Sequence, residues 1–198
     1  TKKLNKDLMM MGLAGESLVD KRVMIIKTHY PERYGKTMHY ADRAILLMRN
    51  PVDCITSLYH IVTTGTHNLS MSDDDISNYP QMFSEWVQQE AMVWRDFHDY
   101  WLKVKIPKYI VRFEDLVKNP EPTLMGLLAF IMNVETIEGT LIHKYLKLAV
   151  NEASPQIYKP RMGKAAGNYD KFDQVHKDFV AEYCYKQLRM FGFYDTYL

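Results

Sequence analysis

Short apolar runs alternate along this chain with longer segments in which apolar residues recur every three to four positions. The short runs are bounded by charged or turn residues, which is typical of strands buried on both faces of a parallel sheet. We predict three such strands, Val23–Lys27, Arg43–Met48 and Lys108–Phe113. The periodic segments predict helices, namely Val52–Thr63, Pro80–Val104, Thr123–Met132, Ile137–Val150 and Asp173–Met190. Strands that alternate with helices predict an α/β fold with a parallel sheet flanked by helices, formed by residues 1–198 as a single domain.

The composition is that of an ordinary globular domain. Of the 198 residues, 47% are hydrophobic and 25% are charged, and the formal net charge is +1. Because the chain is nearly neutral, it has no strong bias toward nucleic acid or a membrane surface, and an anion site must come from local clustering of cations. No apolar run reaches the roughly 20 residues that span a bilayer. The two cysteines, Cys54 and Cys184, make no disulfide framework, and the scattered histidines predict no metal site.

The segment Arg49-Asn50-Pro51-Val52-Asp53 follows the second predicted strand and begins a predicted helix. An arginine before a helix with proline in its first turn presents both a cation and a helix N-terminus to an anion. Ser57 lies about two turns into the helix and adds a hydroxyl, so Arg49 and Ser57 are candidate ligands of a phosphate-type group. The alternative is that Arg49 pairs with Asp53, four residues on, and that Ser57 is an ordinary helix serine.

The first predicted strand ends in Lys27-Thr28-His29. Side chains two residues apart on a strand point to the same side, so the Lys27 ammonium and the His29 ring are expected to lie together. A histidine near a cation tends to stay neutral, which suits a general base that removes a proton from a hydroxyl. The alternative is a surface histidine. Two strand ends of this kind predict a phosphate-type ligand at the carboxyl edge of the sheet.

Two later segments carry further candidate chemistry. Segment 159–169 is predicted to be a loop from its proline and glycines, and it holds three cations among small residues. Arg161 can neutralise a phosphate there, and Gly163 lets backbone amides approach it closely. The alternative is a solvated basic turn. At the end of the third predicted strand, Glu114 and Asp115 are expected to cap the following segment rather than to orient a cation.

Taken in order, these segments resemble the sulfotransferase family, whose members use 3'-phosphoadenosine-5'-phosphosulfate. The family signature around the 3'-phosphate matches Arg49-Asn50-Pro51-Val52-Asp53 with Ser57, and the family's Lys-Thr-His loop matches Lys27-Thr28-His29. The order and spacing are most similar to sulfotransferase domains of the WSC-domain type.

Two further family segments match with substitutions. Ile110–Leu116 resembles a Tyr-Glu-Asp-Leu segment, with Phe113 in place of the tyrosine, which removes one hydroxyl from the nucleotide pocket. Arg161-Met162-Gly163 resembles a late Arg-Lys-Gly loop. The resemblance implies a P-loop-like sulfotransferase fold with a nucleotide-binding site. It also implies transfer of a sulfuryl group to the hydroxyl of a small molecule or glycan, without a metal.

The resemblance also assigns roles to individual residues. His29 is expected to be the catalytic base, and Lys27 to stabilise the transferring group. The residues expected to hold the 3'-phosphate are Arg49, Ser57 and Arg161, with Gly163 allowing close backbone approach.

The family's first phosphate loop, a Pro-x-Ser-Gly-Thr-Thr-Trp type segment after the first strand, is absent from this chain. We expect the first strand and loop to lie upstream of Thr1; the alternative is that the protein has lost them. In the second case the chain would be an inactive sulfotransferase-like subunit that binds protein partners. A membrane contact would require an upstream anchor, and the compartment stays open between Golgi lumen and cytoplasm.

Overall fold

The computed structural model describes residues 22–29, 41–66, 69–72, 76–151 and 168–197, with residues 10, 12, 18 and 31 as isolated positions. The chain divides into two compact units, Thr1–Ala41 and Asp42–Leu198. The sheet, the helices given below and the main core all belong to the second unit. The expectation of a single domain over residues 1–198 stays a prediction.

Strands and helices alternate at the start of the second unit. Strand β1 is Ala44–Met48 and helix α1 is Pro51–Thr64. Helix α2, Pro80–Lys103, and strand β2, Lys108–Arg112, follow. The later described helices are α3 (Phe113–Lys118), α4 (Pro120–Met132), α5 (Leu141–Asn151), α6 (Gln174–Tyr183), α7 (Tyr185–Met190) and α8 (Tyr194–Tyr197), with a 3-10 helix at Tyr169–Lys171 between α5 and α6.

Local sequence signals explain where several helices begin and end. Pro51, Pro80 and Pro120 lie in the first turns of α1, α2 and α4, where a missing backbone N–H costs nothing. Gly65, with a φ of 67°, ends α1, and Asn133, with a φ of 56°, ends α4. Both residues adopt the left-handed conformation that commonly stops a helix. The predicted helices in these regions are therefore confirmed.

Strands β1 and β2 pair in parallel, in a register that runs from Ala44 opposite Lys108 to Met48 opposite Arg112. The connection between them contains both α1 and α2, as a parallel crossover requires. Two of the three predicted strands are thus confirmed, and a small parallel sheet among helices is consistent with the α/β fold that was expected. The pairing also brings the residues that follow both strands to one edge of the sheet.

The main core lies against one face of β1. Leu46 and Met48 of β1 are 4% and 2% exposed, whereas Ile45 and Leu47 are 38% and 62% exposed. The prediction that β1 is buried on both faces is therefore wrong in the described structure, because alternate side chains of a strand point to opposite faces and the face with Ile45 and Leu47 stays exposed along β1. The main cluster of buried side chains includes Val52, Ile55, Tyr59, Phe83, Val87, Ala91, Trp94, Val180, Leu188 and Phe193.

The first predicted strand is also wrong. Residues 22–29 form no strand, and Met24 and Ile25 are 76% and 61% exposed. A strand exists only where a ladder of hydrogen bonds joins it to a neighbour, and a local apolar pattern cannot supply that neighbour. In the described part of the chain, the sheet contains β1 and β2 only.

The predicted helix Asp173–Met190 is divided in two. Cys184 separates α6 from α7, with φ of −104° and ψ of 11°, which departs from helical geometry. Its Sγ donates to the Ala91 carbonyl at 3.5 Å, inside the core. Because apolar periodicity continues across this turn, the sequence pattern did not reveal it. None of the described helices combines the length and apolar character that crossing a bilayer requires.

Candidate functional site

The candidate site lies at the carboxyl ends of the paired strands. After β1, Arg49 and Asn50 lead directly into α1. Asn50 is the N-cap of that helix: its Oδ1 accepts the Asp53 N–H at 2.9 Å, and Pro51 follows it in the first turn. After β2, Phe113 and Glu114 begin α3. The parallel register therefore places an arginine, a buried helix cap and an acidic residue at the same edge.

Arg49 is held by several contacts within this unit. Its Nη2 lies 3.3 Å from Asp53 Oδ2, so the pairing considered as an alternative from the sequence is present. Its guanidinium carbon lies 4.5 Å from the centroid of the Phe113 ring, a cation–π contact. Its carbonyl accepts the Trp94 Nε1–H at 3.1 Å. The side chain stays 21% exposed, and its buried Nε has no hydrogen-bond partner among the described residues.

Two carboxylates are buried beside the arginine. Asp53 is 0% exposed, and Glu114 is 7% exposed. Glu114 Oε1 accepts the Asn50 backbone N–H at 2.9 Å and its side-chain Nδ2 at 3.0 Å. Asn50 Nδ2 also donates to Asp53 Oδ2 at 2.9 Å. Asn50 thus connects the two acids, and this network joins the ends of the two strands.

The network corrects two expectations. Two amides at the start of α1, those of Asn50 and Asp53, already donate to Glu114 and to the Asn50 side chain, so they are not presented to an anion. Glu114 does not cap α3, whose N-cap residue Arg112 makes no side-chain cap hydrogen bond. The buried Glu114 binds across to Asn50 because the parallel register places the two strand ends side by side, a contact that sequence order cannot show.

A second described segment covers one face of α1. Asn168 donates from both its backbone N–H and its Nδ2 to Asp53 Oδ1, at 3.3 and 3.0 Å. Three residues later, Lys171 Nζ lies 3.3 Å from His60 Nε2. Ser57 is half-buried in α1 between these two attachment points. Arg49, Ser57, Asn168 and Lys171 therefore belong to one neighbourhood of the second unit.

The remaining predicted site residues belong to the first unit or lie outside the described residues. Lys27 and His29 belong to the first unit, in a segment without regular secondary structure, and both are exposed. Their expected alternation on a strand is therefore absent. Arg161 and Gly163 lie outside the described residues, as do most of the loop that carries them. The roles assigned to these four residues stay predictions.

Sequence reasoning missed several residues of the site. The Phe113 ring was interpreted only as a lost hydroxyl, whereas it supports the Arg49 guanidinium. Asn168 and Lys171 were not candidates, although Asn168 belongs to the predicted loop 159–169 and Lys171 follows it closely, which was the available signal. Within the described residues, no group of three or more histidine, cysteine or acidic side chains is arranged to hold a metal ion.

Comparisons with known proteins agree with this architecture. Residues 14–149 match the model of the sulfotransferase domain family. This stretch is most of the chain, so the chain belongs to the sulfotransferase family, as its motifs predicted.

A WSCD family member of Aedes aegypti is 27% identical over 150 residues, which cover 69% of this chain and 44% of that protein. This similarity is consistent with the WSC-domain type suggested by the motif spacing. The chain spans less than half the length of this curated relative. No solved structure matches the chain.

Proposed function

We propose that this protein transfers a sulfuryl group from 3'-phosphoadenosine-5'-phosphosulfate to a hydroxyl acceptor. The observation that carries the proposal is the placement of Arg49 at a parallel strand end, with its guanidinium resting on Phe113 and paired with Asp53. A planar cation held in this way is suited to bind phosphate with directed hydrogen bonds. Membership of the sulfotransferase family supports the same chemistry.

In the proposed reaction, His29 removes the proton of the acceptor hydroxyl. The acceptor oxygen forms a bond to sulfur while the bond from sulfur to the bridging phosphate oxygen breaks, and 3'-phosphoadenosine-5'-phosphate leaves. Lys27 stabilises the negative charge that develops on the transferring group or the bridging oxygen, as positioned cations do in phosphoryl transfer. Arg49, Ser57 and Arg161 hold the 3'-phosphate, and Gly163 allows the backbone to approach it.

The acceptor is proposed to be the hydroxyl of a small molecule or a glycan. Segments 65–79 and 151–168 are proposed to line its site, and both lie partly outside the described residues.

Nucleotide binding is the first test. We expect 3'-phosphoadenosine-5'-phosphate to bind the natural full-length protein in calorimetry and expect Arg49→Ala to reduce the affinity by about ten- to a hundredfold, because a charge-assisted contact is lost. Arg189→Ala is the matched control, since Arg189 is 51% exposed and pairs with Asp195 in the C-terminal part of the chain. Folded wild-type protein that does not bind the nucleotide would overturn the proposal.

Catalysis is tested separately. His29→Ala is expected to abolish sulfuryl transfer while leaving nucleotide affinity unchanged, because the proposed base contacts the acceptor rather than the 3'-phosphate. Unchanged transfer in both His29→Ala and Arg49→Ala would show that these residues are not part of the reaction.

A second candidate is an inactive sulfotransferase-like subunit that binds other proteins. Helix α5 supports it, because Leu141, Tyr145 and Leu148 are 62%, 60% and 49% exposed and lie on one face of the helix. Exposed apolar stripes of this kind are typical of interaction surfaces. Nucleotide binding without transfer to any acceptor, together with a stable complex lost on Tyr145→Glu, would favour this candidate.

A further inference from the structure

The peptide group that joins Arg49 to Asn50 is held from both sides by buried side chains. Its carbonyl accepts the Nε1–H of Trp94, in α2, at 3.1 Å. Its N–H donates to Oε1 of Glu114, in α3, at 2.9 Å. These two partners lie 45 and 64 positions away in the sequence. Because a peptide group is planar, contacts at its carbonyl and at its N–H together fix the direction in which the plane faces.

This peptide group lies between two regular elements. Strand β1 ends at Met48 and α1 begins at Pro51, so Arg49 and Asn50 belong to neither element. Pro51 restricts Asn50 to a polyproline-like backbone conformation, with φ of −55° and ψ of 143°. The direction in which Arg49 leaves the strand therefore depends on the two side-chain contacts of the peptide group.

The Trp94 ring is itself fixed inside the main core. Its centroid lies 4.2 Å from that of the His98 ring and 6.4 Å from that of the Phe191 ring, which meets it edge-on at 81°. His98 Nδ1 donates to the Trp94 carbonyl at 2.6 Å. Because a close-packed interior leaves a large ring few alternative rotamers, the Nε1–H donates in one direction.

The same junction determines where the Arg49 guanidinium lies. Phe113, which contacts the guanidinium, directly precedes Glu114, so these two neighbours hold the side chain and the backbone of one arginine. Trp94 adds the second backbone contact. A guanidinium binds phosphate through planar, directed hydrogen bonds, so its orientation matters as well as its charge. An arginine whose backbone is already held also loses less freedom when an anion binds.

We propose that Trp94 is a positioning residue of the nucleotide site, whose Nε1–H holds the Arg49 carbonyl so that the guanidinium meets the 3'-phosphate of the co-substrate. This inference rests on the proposed function and adds a residue that lies in none of the matched motifs. In this arrangement Trp94 acts on the ligand only through Arg49. Loss of the indole N–H therefore weakens binding of the 3'-phosphate and leaves the contacts of the rest of the nucleotide unchanged.

Trp86 provides a matched control on the same helix. It lies eight residues before Trp94, and its Nε1–H donates to the Ile55 carbonyl at 3.2 Å. Trp86→Phe and Trp94→Phe thus each remove one hydrogen bond from an indole of α2 to a backbone carbonyl, but only Trp94→Phe releases the peptide group of Arg49. A purely structural role of Trp94 predicts the same binding behaviour for both variants.

The test compares two nucleotides that differ by the 3'-phosphate. 3'-Phosphoadenosine-5'-phosphate and adenosine-5'-phosphate are titrated into the natural full-length protein in calorimetry. We expect Trp94→Phe to weaken binding of the first nucleotide by about three- to thirtyfold and binding of the second by less than about twofold. Trp86→Phe should change neither affinity by more than about twofold. In an Arg49→Ala background, Trp94→Phe should have no further effect on binding, because the side chain that it positions is gone.

If Trp94→Phe does not fold, benzothienylalanine incorporated at position 94 gives the same test, since sulfur replaces the N–H in a ring of nearly the same shape. An equal loss for both nucleotides, an equal loss in Trp86→Phe, or a further loss in the Arg49→Ala background would show that Trp94 only stabilises the core and would overturn the inference. Binding that depends on Arg49 but not on Trp94 would also overturn it and would leave the proposed function intact. Wild-type protein that binds neither nucleotide would refute the proposed function itself, so the two failures are distinguishable.

Discussion

The Arg49 guanidinium lies on the ring of Phe113, 4.5 Å from its centroid, where the two parallel strands end. The two residues are far apart in sequence, and each directly follows a strand. Their contact shows how the sheet assembles the candidate site. The register of β1 against β2 determines which side chain lies under the Arg49 guanidinium. It also gives Phe113, which replaces a tyrosine of the family pattern, a role that requires no hydroxyl.

Replacement of the Phe113 ring is predicted to weaken nucleotide binding. Phe113→Leu removes the cation–π contact and should lower affinity for 3'-phosphoadenosine-5'-phosphate by about three- to thirtyfold, whereas Phe113→Tyr keeps the ring and should stay near wild type. Calorimetric titration measures both. Phe130→Leu is the matched control, because the Phe130 ring of α4 contacts Arg43, 5.3 Å away, before the amino end of β1. Equal losses in Phe113→Leu and Phe130→Leu would contradict a specific role for Phe113.

Glu114 is predicted to stabilise the fold through Asn50. Glu114→Ala leaves the Asn50 backbone N–H, 2.9 Å from the carboxylate, without its acceptor, and it removes one of the two acceptors of Asn50 Nδ2. Burying an unpaired donor should lower the free energy of unfolding by about 2–4 kcal/mol, while Glu114→Gln keeps an acceptor oxygen and should cost less. Urea denaturation measures the change, with the exposed Glu138→Ala as control. A Gln variant as unstable as the Ala variant would refute the hydrogen-bond explanation.

The buried His98 is predicted to make stability depend on pH. It is 4% exposed among Trp94, Phe97 and Phe191, and burial lowers its pKa from 6.5 to about 4. Because the pKa of His98 is lower in the folded protein than in the unfolded chain, the unfolded chain binds the proton more tightly. The folded state therefore keeps its full stability above pH 6.5 and loses stability as pH falls from 6.5 toward 4. The loss amounts to about 3 kcal/mol.

The His98→Phe variant provides the check. It should remove that part of the pH dependence between pH 7 and pH 4, because the aromatic packing is kept while the titrating group is gone. Unfolding free energies measured in urea at several pH values give the comparison. A pH profile of His98→Phe identical to that of wild type would assign the acid sensitivity to other groups.

The Tyr109 side chain is predicted to make any side chain at position 126 destabilising. A Cβ at Gly126 would clash with the Tyr109 hydroxyl oxygen. Gly126→Ala should therefore lower the free energy of unfolding by about 1–3 kcal/mol despite the higher helix propensity of alanine. Tyr109→Phe removes the clashing oxygen, so the double variant should be more stable than Gly126→Ala alone. A double variant that shows no such recovery would exclude this clash as the cause.

Several features followed from the sequence because their causes are local. The first-turn proline Pro51 and apolar periodicity predicted the helices around the site, and the apolar runs predicted β1 and β2. The ordered motifs identified the family, which the match over residues 14–149 confirmed. The ion pair of Arg49 with Asp53 could also be foreseen from the sequence, as the alternative interpretation of Arg49, because residues four apart lie about one helical turn apart.

Tertiary structure decided the features that depend on neighbours distant in sequence. Whether an apolar run forms a strand depends on a pairing partner, so residues 23–27 could not be assigned correctly from their own pattern. The contacts of Asn50 with Glu114, Arg49 with Phe113 and His60 with Lys171 span 64, 64 and 111 positions. The sequence by itself determined the family and the local elements, because these depend on motifs, periodicity and helix caps. Only the fold decided which polar groups are buried together at the strand ends, because sheet register and helix packing determine those distances.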